Sequence, residues 1–228
     1  MKYSVVIPAA GQGKRMKAGR NKQFLKLQGE EIIVHTVRLF EQDPSCRRIV
    51  VVANPEEVAL MNTMMDKRDF KKVTVATGGK ERQDSVRNGL QSLEEDGIIL
   101  VHDGARPFVE QRVIDELVER AGERGAAIAA VRVKDTIKRV EGDSVVETLK
   151  RDELWAVQTP QAFQAALLRQ AHAKAEQEGY TATDDASLIE WIGRTVVIVE
   201  GSYHNLKLTT PEDMTVAHLI SKERERNG

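Results

Sequence analysis

Cysteine is nearly absent. Cys46 is the only one in the chain, so an intramolecular disulfide and a cysteine-rich zinc site are both excluded. A chain built without disulfides fits the reducing cytoplasm. Long apolar runs are also missing: nothing approaches the ~20 consecutive apolar residues of a membrane span. The first apolar segment stops at Pro8, too short and wrongly followed for a secretory leader. There is no excess of either charge. With 34 Lys+Arg against 35 Asp+Glu the formal net charge is −1, which argues against a general nucleic-acid surface, normally strongly basic. Internal repeats, low-complexity segments and long linkers do not occur. One domain spanning residues 1–228 is the economical reading, and a chain of this size can bury a sizeable core.

One further absence is local. The first 29 residues carry no acid, yet hold Lys2, Lys14, Arg15, Lys17, Arg20, Lys22 and Lys26; Glu30 is the first carboxylate. Such a cluster is either a solvated basic face or a site for an anion.

What is present is an alternation. Tyr3–Ile7, Ile49–Ala53, Val73–Ala76, Ile98–His102 and Ala127–Val131 are short and rich in β-branched or small apolar residues, and read as buried strands. Helical spacing falls between them, over about Glu31–Glu41, from Asn54-Pro55-Glu56-Glu57 onward, where Asn54 is the predicted N-cap with proline at the first helical position, over Arg82–Leu93 and over Glu110–Ala121. This alternation predicts an α/β fold, a mostly parallel sheet with helices on both faces, whose ligands bind at the C-terminal ends of the strands. The pattern breaks over about 132–153. There a turn at Glu141-Gly142-Asp143-Ser144 separates Thr136–Val140 from Val145–Leu149 and predicts a protruding β-arm. A two-stranded ribbon is marginal alone, so the arm is expected to pack on another chain. Helices are expected again over Phe163–Glu178 and Asp184–Ile192, with strands at Val196–Glu200 and near Leu206–Leu208. A last helix opens at Thr210-Pro211-Glu212-Asp213, with an N-cap and an acid at the third helical position.

Three loops carry chemistry. Pro8-Ala9-Ala10-Gly11-Gln12-Gly13-Lys14-Arg15-Met16 follows the first strand. Its small residues let a ligand approach the backbone, whose N–H groups can hold phosphates. It is not a Walker loop, because Arg15 follows Lys14 where Ser or Thr is required. It is not the dinucleotide fingerprint either, because Met16 occupies the third small position. Val101-His102-Asp103-Gly104-Ala105-Arg106-Pro107 places an acid at a strand end, where it can bind Mg²⁺, and an arginine suited to a phosphate monoester. Thr77-Gly78-Gly79-Lys80-Glu81-Arg82-Gln83-Asp84-Ser85 is a glycine turn entering a helix, able to present amides, a hydroxyl and an arginine to an anion or a base edge. Each could instead be a turn or a cap without a ligand.

Taken together, PAAGQGKRM, Lys22-Gln23-Phe24, GGKERQDSV, VHDGARPF, VKDTIKR, LWAVQTPQAF, TDDAS and NLKLTTPEDM closely resemble, in order and along essentially the whole chain, the 2-C-methyl-D-erythritol 4-phosphate cytidylyltransferases of the non-mevalonate isoprenoid route. The resemblance implies a Rossmann-like nucleotidyltransferase fold and a homodimer formed through the arm. It implies transfer of CMP from CTP to methylerythritol phosphate with Mg²⁺, while the balanced charge and the lack of long apolar runs lead to the expectation of no nucleic-acid and no membrane partner. It matches Ala9, Ala10, Gly11, Gly13, Gly79, Arg82, Ser85, Asp103 and Gly104 to nucleotide binding, with Asp103 also meeting the metal. Arg15, Lys22 and Lys207 match the catalytic cations. Arg106, Thr136, Lys138 and Arg151 match acceptor contacts, some of them from the partner's arm. Two positions depart from the family pattern: Gly104 stands where Ala is common, and Lys80 where Asp is common.

The same motifs leave two competing functions. Ribitol 5-phosphate cytidylyltransferases share the VHD-x-x-RPF and C-terminal lysine motifs, but tend to open with LAGG and lack the KDTIKR pattern. A CTP-binding module without activity would not need Arg15, Lys22, Asp103 and Lys207 together. A glycosyltransferase of related fold usually carries an Asp-x-Asp metal motif, which no predicted strand end shows. His35, His172 and His218 lie in helical patterns without ligand spacing and read as ordinary core or surface residues.

Overall fold

The computed structural model describes residues 1–11, 22–94 and 96–227, without the side chains of Lys22 and Asn227. Gly13 and Arg15, together with the Lys22 side chain, therefore lie outside the described residues.

The chain folds as β1 (Tyr3–Pro8), β2 (Lys26–Leu27), β3 (Glu30–Glu31), α1 (Ile32–Gln42), β4 (Cys46–Ala53), α2 (Val58–Asp66), β5 (Val73–Thr77), α3 (Arg82–Gln91), β6 (Ile98–Val101) and α4 (Gln111–Arg124). It continues through β7 (Ala126–Arg132), β8 (Lys138–Glu141), β9 (Ser144–Thr148), β10 (Trp155–Gln164), α5 (Ala165–Glu178), α6 (Asp185–Trp191), β11 (Val197–Glu200) and α7 (Pro211–Asn227). The main sheet runs β11-β7-β10-β6-β1-β4-β5. Every neighbouring pair in it is parallel except those of β10, which is antiparallel to both β6 and β7.

Alternation along the strands builds two cores. Val5 and Ile7 of β1, with Ile49 and Val51 of β4, face the layer that holds Val37 and Phe40 of α1, Met61 of α2 and Leu117 of α4. Val6, Val50 and Val52 point the other way, toward Val86 and Leu90 of α3, Leu168 of α5 and Ile189 of α6. Helices thus cover both faces, which is why the strands read as continuous apolar runs. α7 docks separately, with Ala217 and Ile220 packing on Leu27, Phe108 and Leu208. Among the described residues no helix is long and apolar enough to cross a membrane.

Gly89 sits in the middle of α3 for a packing reason. A Cβ there would lie 2.5 Å from Val6 Cγ1 and 2.9 Å from Val52 Cγ2. Its absence lets the helix settle onto β1 and β4, directly beside the loops that form the site.

The β-arm is present as a separate two-stranded sheet of β8 and β9, turning at Gly142-Asp143. All residues of both strands are exposed, including Val140, Val145 and Val146.

Three expectations are corrected. Residues 206–208 form no strand. Leu208 N donates to Ala105 O at 2.9 Å, and the buried Leu208 side chain anchors the segment instead. Phe163 belongs to β10, paired with Ile99 and Ala126, and the helix begins at Ala165. β10 itself was not foreseen as a strand. Gln158, Thr159, Pro160 and Gln161 interrupt its apolar pattern, and a register shift between Val157 and Gln161 takes residues off the ladder against β7. Such a bulge redirects side chains, and these ones turn to the site. The predicted cap at Asn54 is present, its Oδ1 accepting from Glu56 N at 3.0 Å, but a 3-10 turn over Pro55–Glu57 precedes α2.

Candidate active site

The sheet order reverses at β1. From β1 the chain goes outward to β4 and β5, then returns to place β6 on the other side of β1. The crevice outside the strand ends at such a reversal is where open α/β sheets bind ligands. A cavity of about 260 Å³ lies there, lined by Pro8 at the end of β1, Ala10 and Gly11 after it, Gly79–Ser85 excepting Gln83 and Asp84 after β5, Asp103–Ala105 after β6, and by Gln23 and Lys207.

Backbone bonds fix the walls. Ala9 N donates to Val52 O at 2.8 Å and Gly78 N to Ala53 O at 2.7 Å, so the loops after β1 and β5 both hang on β4. Gly78 is required by the contact: a Cβ would lie 2.7 Å from Ala10 Cβ. Ser85 Oγ accepts from Gly79 N and donates to Glu81 O, both at 3.1 Å. Asp84 Oδ2 accepts from Glu81 N at 3.1 Å. These bonds bind the glycine turn to the first turn of α3.

Asp103 is the electrostatic centre. It is 8% exposed, and Lys207 Nζ reaches its Oδ2 at 2.7 Å. Arg106 Nε stands 3.7 Å from the same oxygen, and Arg82 Nε 3.6 Å from Oδ1. Burial alone would raise the Asp103 pKa; Lys207, Arg82 and Arg106 outweigh it and hold the carboxyl well below its usual range. The group is a permanent anion surrounded by cations.

The neighbours of Asp103 are fixed in turn. Asp103 N donates to Thr159 Oγ1 at 2.9 Å, and that hydroxyl lies 3.2 Å from His102 Nδ1. His102 Nε2 is 2.9 Å from Arg106 O. A neutral ring donating from Nε2 and accepting at Nδ1 satisfies all three groups. Burial lowers the His102 pKa to about 4, which keeps the ring neutral. The C-terminal loop is tied down by Asn205, whose Nδ2 donates to Thr159 O at 2.9 Å and to Gln158 Oε1 at 3.2 Å. Arg106 Nη1 donates to Asn205 O at 2.6 Å. Asp213 closes the loop, its Oδ2 accepting from Thr209 N and Thr210 N at 2.7 and 2.8 Å. Lys207 is therefore carried by a segment anchored at both ends.

The cavity thus gathers Ala10, Gly11, Gly79, Arg82, Ser85, Asp103, Gly104 and Lys207 of the expected residues. Ala9 is buried behind it. Arg106 adjoins it without lining it, with two of its nitrogens directed to Asn205 and Asp103. Thr136, Lys138 and Arg151 lie on or beside the arm and do not line this chain's cavity. Lys138 Nζ donates to Thr148 Oγ1 at 2.6 Å and Arg151 Nη1 to Lys134 O at 3.1 Å. Gly104 has a packing role: a Cβ would meet Ile33 Cδ1 at 2.8 Å and Gln23 Oε1 at 2.9 Å, both ends of flexible side chains. Lys80, odd by the family pattern, is in the lining, as are Gln23, Glu81 and Ala105. Sequence reasoning assigned no role to Gln23, Glu81 or Ala105; their position inside three recognised motifs was the available signal.

No group of three or more His, Cys, Asp or Glu among the described residues could hold a metal ion. Asp103 does fit Mg²⁺ in the way that ion is usually held at phosphate sites, where one or two carboxylates act with phosphate oxygens and water. It is ionised, it lines the cavity, and a carboxylate has more acceptor positions than Lys207 occupies.

Known proteins resemble this chain over its full extent. The family model for 2-C-methyl-D-erythritol 4-phosphate cytidylyltransferase (IspD) matches residues 3–223. A protein of that name from Halalkalibacterium halodurans is 57% identical over 227 residues, covering 99% of this chain and 100% of that protein. Another from Geobacillus kaustophilus is 54% identical over 225 residues, covering 98% and 99%. Among solved structures, 2-C-methyl-D-erythritol 4-phosphate cytidylyltransferase of Francisella tularensis superposes with a TM-score of 0.83 at 33% identity, covering 96% of this chain and 99% of that one. The 4-diphosphocytidyl-2C-methyl-D-erythritol synthase of Anaerococcus prevotii gives 0.86 at 27%, covering 97% and 96%. With its motifs in order, its loops gathered at the sheet reversal and such matches end to end, the chain belongs to the 2-C-methyl-D-erythritol 4-phosphate cytidylyltransferase family.

Proposed function

We propose that this cavity transfers the cytidylyl group of CTP to the phosphate of 2-C-methyl-D-erythritol 4-phosphate, giving 4-diphosphocytidyl-2-C-methyl-D-erythritol and pyrophosphate. The observation that carries the reading is Asp103 at the sheet reversal, ionised and faced by Lys207, Arg82 and Arg106, beside a loop of small residues. Members of the family carry the activity in their name.

The chemistry needs no covalent nucleophile. A phosphate monoester has its second pKa near 6 and is largely a dianion at pH 7. One of its oxygens attacks the α-phosphorus of CTP as the bond to the bridging oxygen of pyrophosphate breaks. The barrier is electrostatic, because an anion approaches a triphosphate. Fixed cations lower it by screening that repulsion and by stabilising the charge that develops. Lys207 is one such cation. Arg15 and Lys22 are assigned the same role by the family motif. Ala10, Gly11 and Gly79 offer backbone and space to the nucleotide. Asp103 would hold Mg²⁺, which when bound neutralises phosphate charge.

The finer assignments belong to the same proposal. Two copies pair through the β-arm, whose exposed valines have nothing to cover them in one copy. Thr136, Lys138 and Arg151 then serve the acceptor in the partner's site. The lone, buried Cys46 suits a cytoplasmic enzyme.

The test is pyrophosphate release with CTP, ATP, GTP or UTP, each offered methylerythritol phosphate or ribitol 5-phosphate. Release with CTP and methylerythritol phosphate alone is expected. Release with ribitol 5-phosphate instead would transfer the chain to the other cytidylyltransferases, and release with neither would leave a CTP-binding module.

A further inference from the structure

One buried polar pair takes no part in the chemistry above. His172 of α5 is 2% exposed, and Asp185, the first residue of α6, is 1% exposed. His172 Nε2 donates to Asp185 Oδ1 at 3.0 Å. The second oxygen, Oδ2, accepts from Arg82 Nη1 at 2.8 Å. Arg82 lines the cavity and stands 3.6 Å from Asp103 through Nε. A chain of charge-assisted contacts therefore runs from the back of the α5 layer to the cavity wall.

Packing does not require this pair. α5 and α6 already join through Leu168, Ala171, Leu188 and Ile189. Taking an ionised carboxylate out of water into that layer carries a desolvation penalty that an apolar pair would not. Nor is the histidine held from both sides, since His172 Nδ1 is buried and has no partner among the described residues. The ring contacts the network through Nε2 alone. What the pair does achieve is a choice between two acids. Arg82 lies between Asp185 and Asp103, and its contact with Asp185 is the shorter by far. The His172 bond on Oδ1 orients the carboxylate so that Oδ2 meets the guanidinium. Arg82 is thereby kept from collapsing onto Asp103, which stays paired with Lys207 and open to the cavity.

We infer that His172 is a positioning residue for the nucleotide: acting through Asp185, it holds the Arg82 guanidinium at the cavity wall before CTP arrives. The inference rests on the reading of the cavity as a CTP site. Wild-type pyrophosphate release with CTP and methylerythritol phosphate tests that reading first and separately.

His172→Phe removes the donor and keeps an aromatic ring. It should raise the KM for CTP by about tenfold, the scale of one charge-assisted hydrogen bond. The KM for the acceptor and kcat should stay within about twofold, as expected when uniform binding is lost. His172→Gln, which retains a side-chain N–H, should restore most of the CTP affinity. In an Arg82→Lys background the His172→Phe change should add little, because coupled residues are non-additive. If His172→Phe does not fold, the near-isosteric Asp185→Asn carries the same test through the same KM split. A fall in melting temperature with both KM values unchanged would overturn the inference. So would an equal rise in both KM values, or a full His172 effect without Arg82.

Discussion

Lys207 Nζ and Asp103 Oδ2 stand 2.7 Å apart, joining the loop after β6 to a C-terminal segment with no regular structure. The pair closes one wall of the cavity and helps hold the Asp103 carboxyl ionised before any ligand enters. Lys207 is 38% exposed while Asp103 is 11% exposed at the side chain, so the cation is the partner that can turn toward a phosphate.

Lys207→Ala should therefore leave the fold intact. Its cost in stability is expected at about 1–3 kcal/mol, because the buried Asp103 carboxylate keeps only its longer contacts to Arg82 and Arg106. Turnover should fall by about 10²-fold to 10³-fold, the scale for losing one preorganised charge contact. Steady-state pyrophosphate release beside a denaturant melt separates the two effects. Near-normal turnover would remove Lys207 from the chemistry.

The proposed sharing of a site between two arm-paired copies is tested by mixing subunits. Lys22→Ala alone should lower turnover by about 10²-fold or more, and Thr136→Ala should impair acceptor use. In a mixed dimer one of the two sites regains both functions. Random pairing should then restore about a quarter of wild-type activity, since half of the dimers are mixed and each holds one intact site. No recovery where mixed dimers demonstrably form would place Thr136 in its own chain's site or in none.

His102 predicts a pH dependence of stability. Its pKa is lowered by burial from 6.5 to about 4, so the unfolded chain binds the extra proton first as pH falls. The contribution is fully present above about pH 6.5 and is lost down to about pH 4, on the order of a few kcal/mol in all. Urea midpoints at pH 7 and pH 5 should differ in the wild type, and less so in His102→Gln. Equal pH slopes in the two proteins would mean that His102 titrates normally in the fold.

Gly89→Ala tests the seating of α3. Alanine is normally favoured over glycine in a helix by about 1 kcal/mol. Here its Cβ would be 2.5 Å from Val6, and overpacking of that kind costs about 1–3 kcal/mol. A net loss of stability is expected, with a raised KM for CTP because α3 carries Arg82. A stabilised variant would show that the helix can back away from β1 freely.

Much of this was legible before any coordinates. The inner parallel strands β1, β4 and β6 announce themselves because both their faces are buried, whereas β5, expected as buried, is a half-exposed edge strand; the arm announces itself as a charged stretch with a turn signal. Cap signals held as well: Asn54 accepts from Glu56 N, and Asp213 gathers the amides of Thr209 and Thr210. β10 was hidden by its own polar residues. The residues that spoil its strand pattern, Gln158, Thr159 and Gln161, are those that bond Asn205, Asp103 and Asp184. His172 was hidden differently, since a histidine on a helical face looks the same whether it fills space or grips a carboxylate.

By itself, then, the sequence determined the alternation, the two-sided sheet, the loops of small residues and the family to which they belong. All of these depend on residues near one another along the chain. Only the tertiary structure decided which charges meet. Asp103 finds Lys207 from the C-terminal loop and Arg82 from α3, while Arg82 finds Asp185 from α6. Electrostatic partners are set by distance in space, over a few ångströms and in a poorly screened interior, and no local pattern encodes that distance.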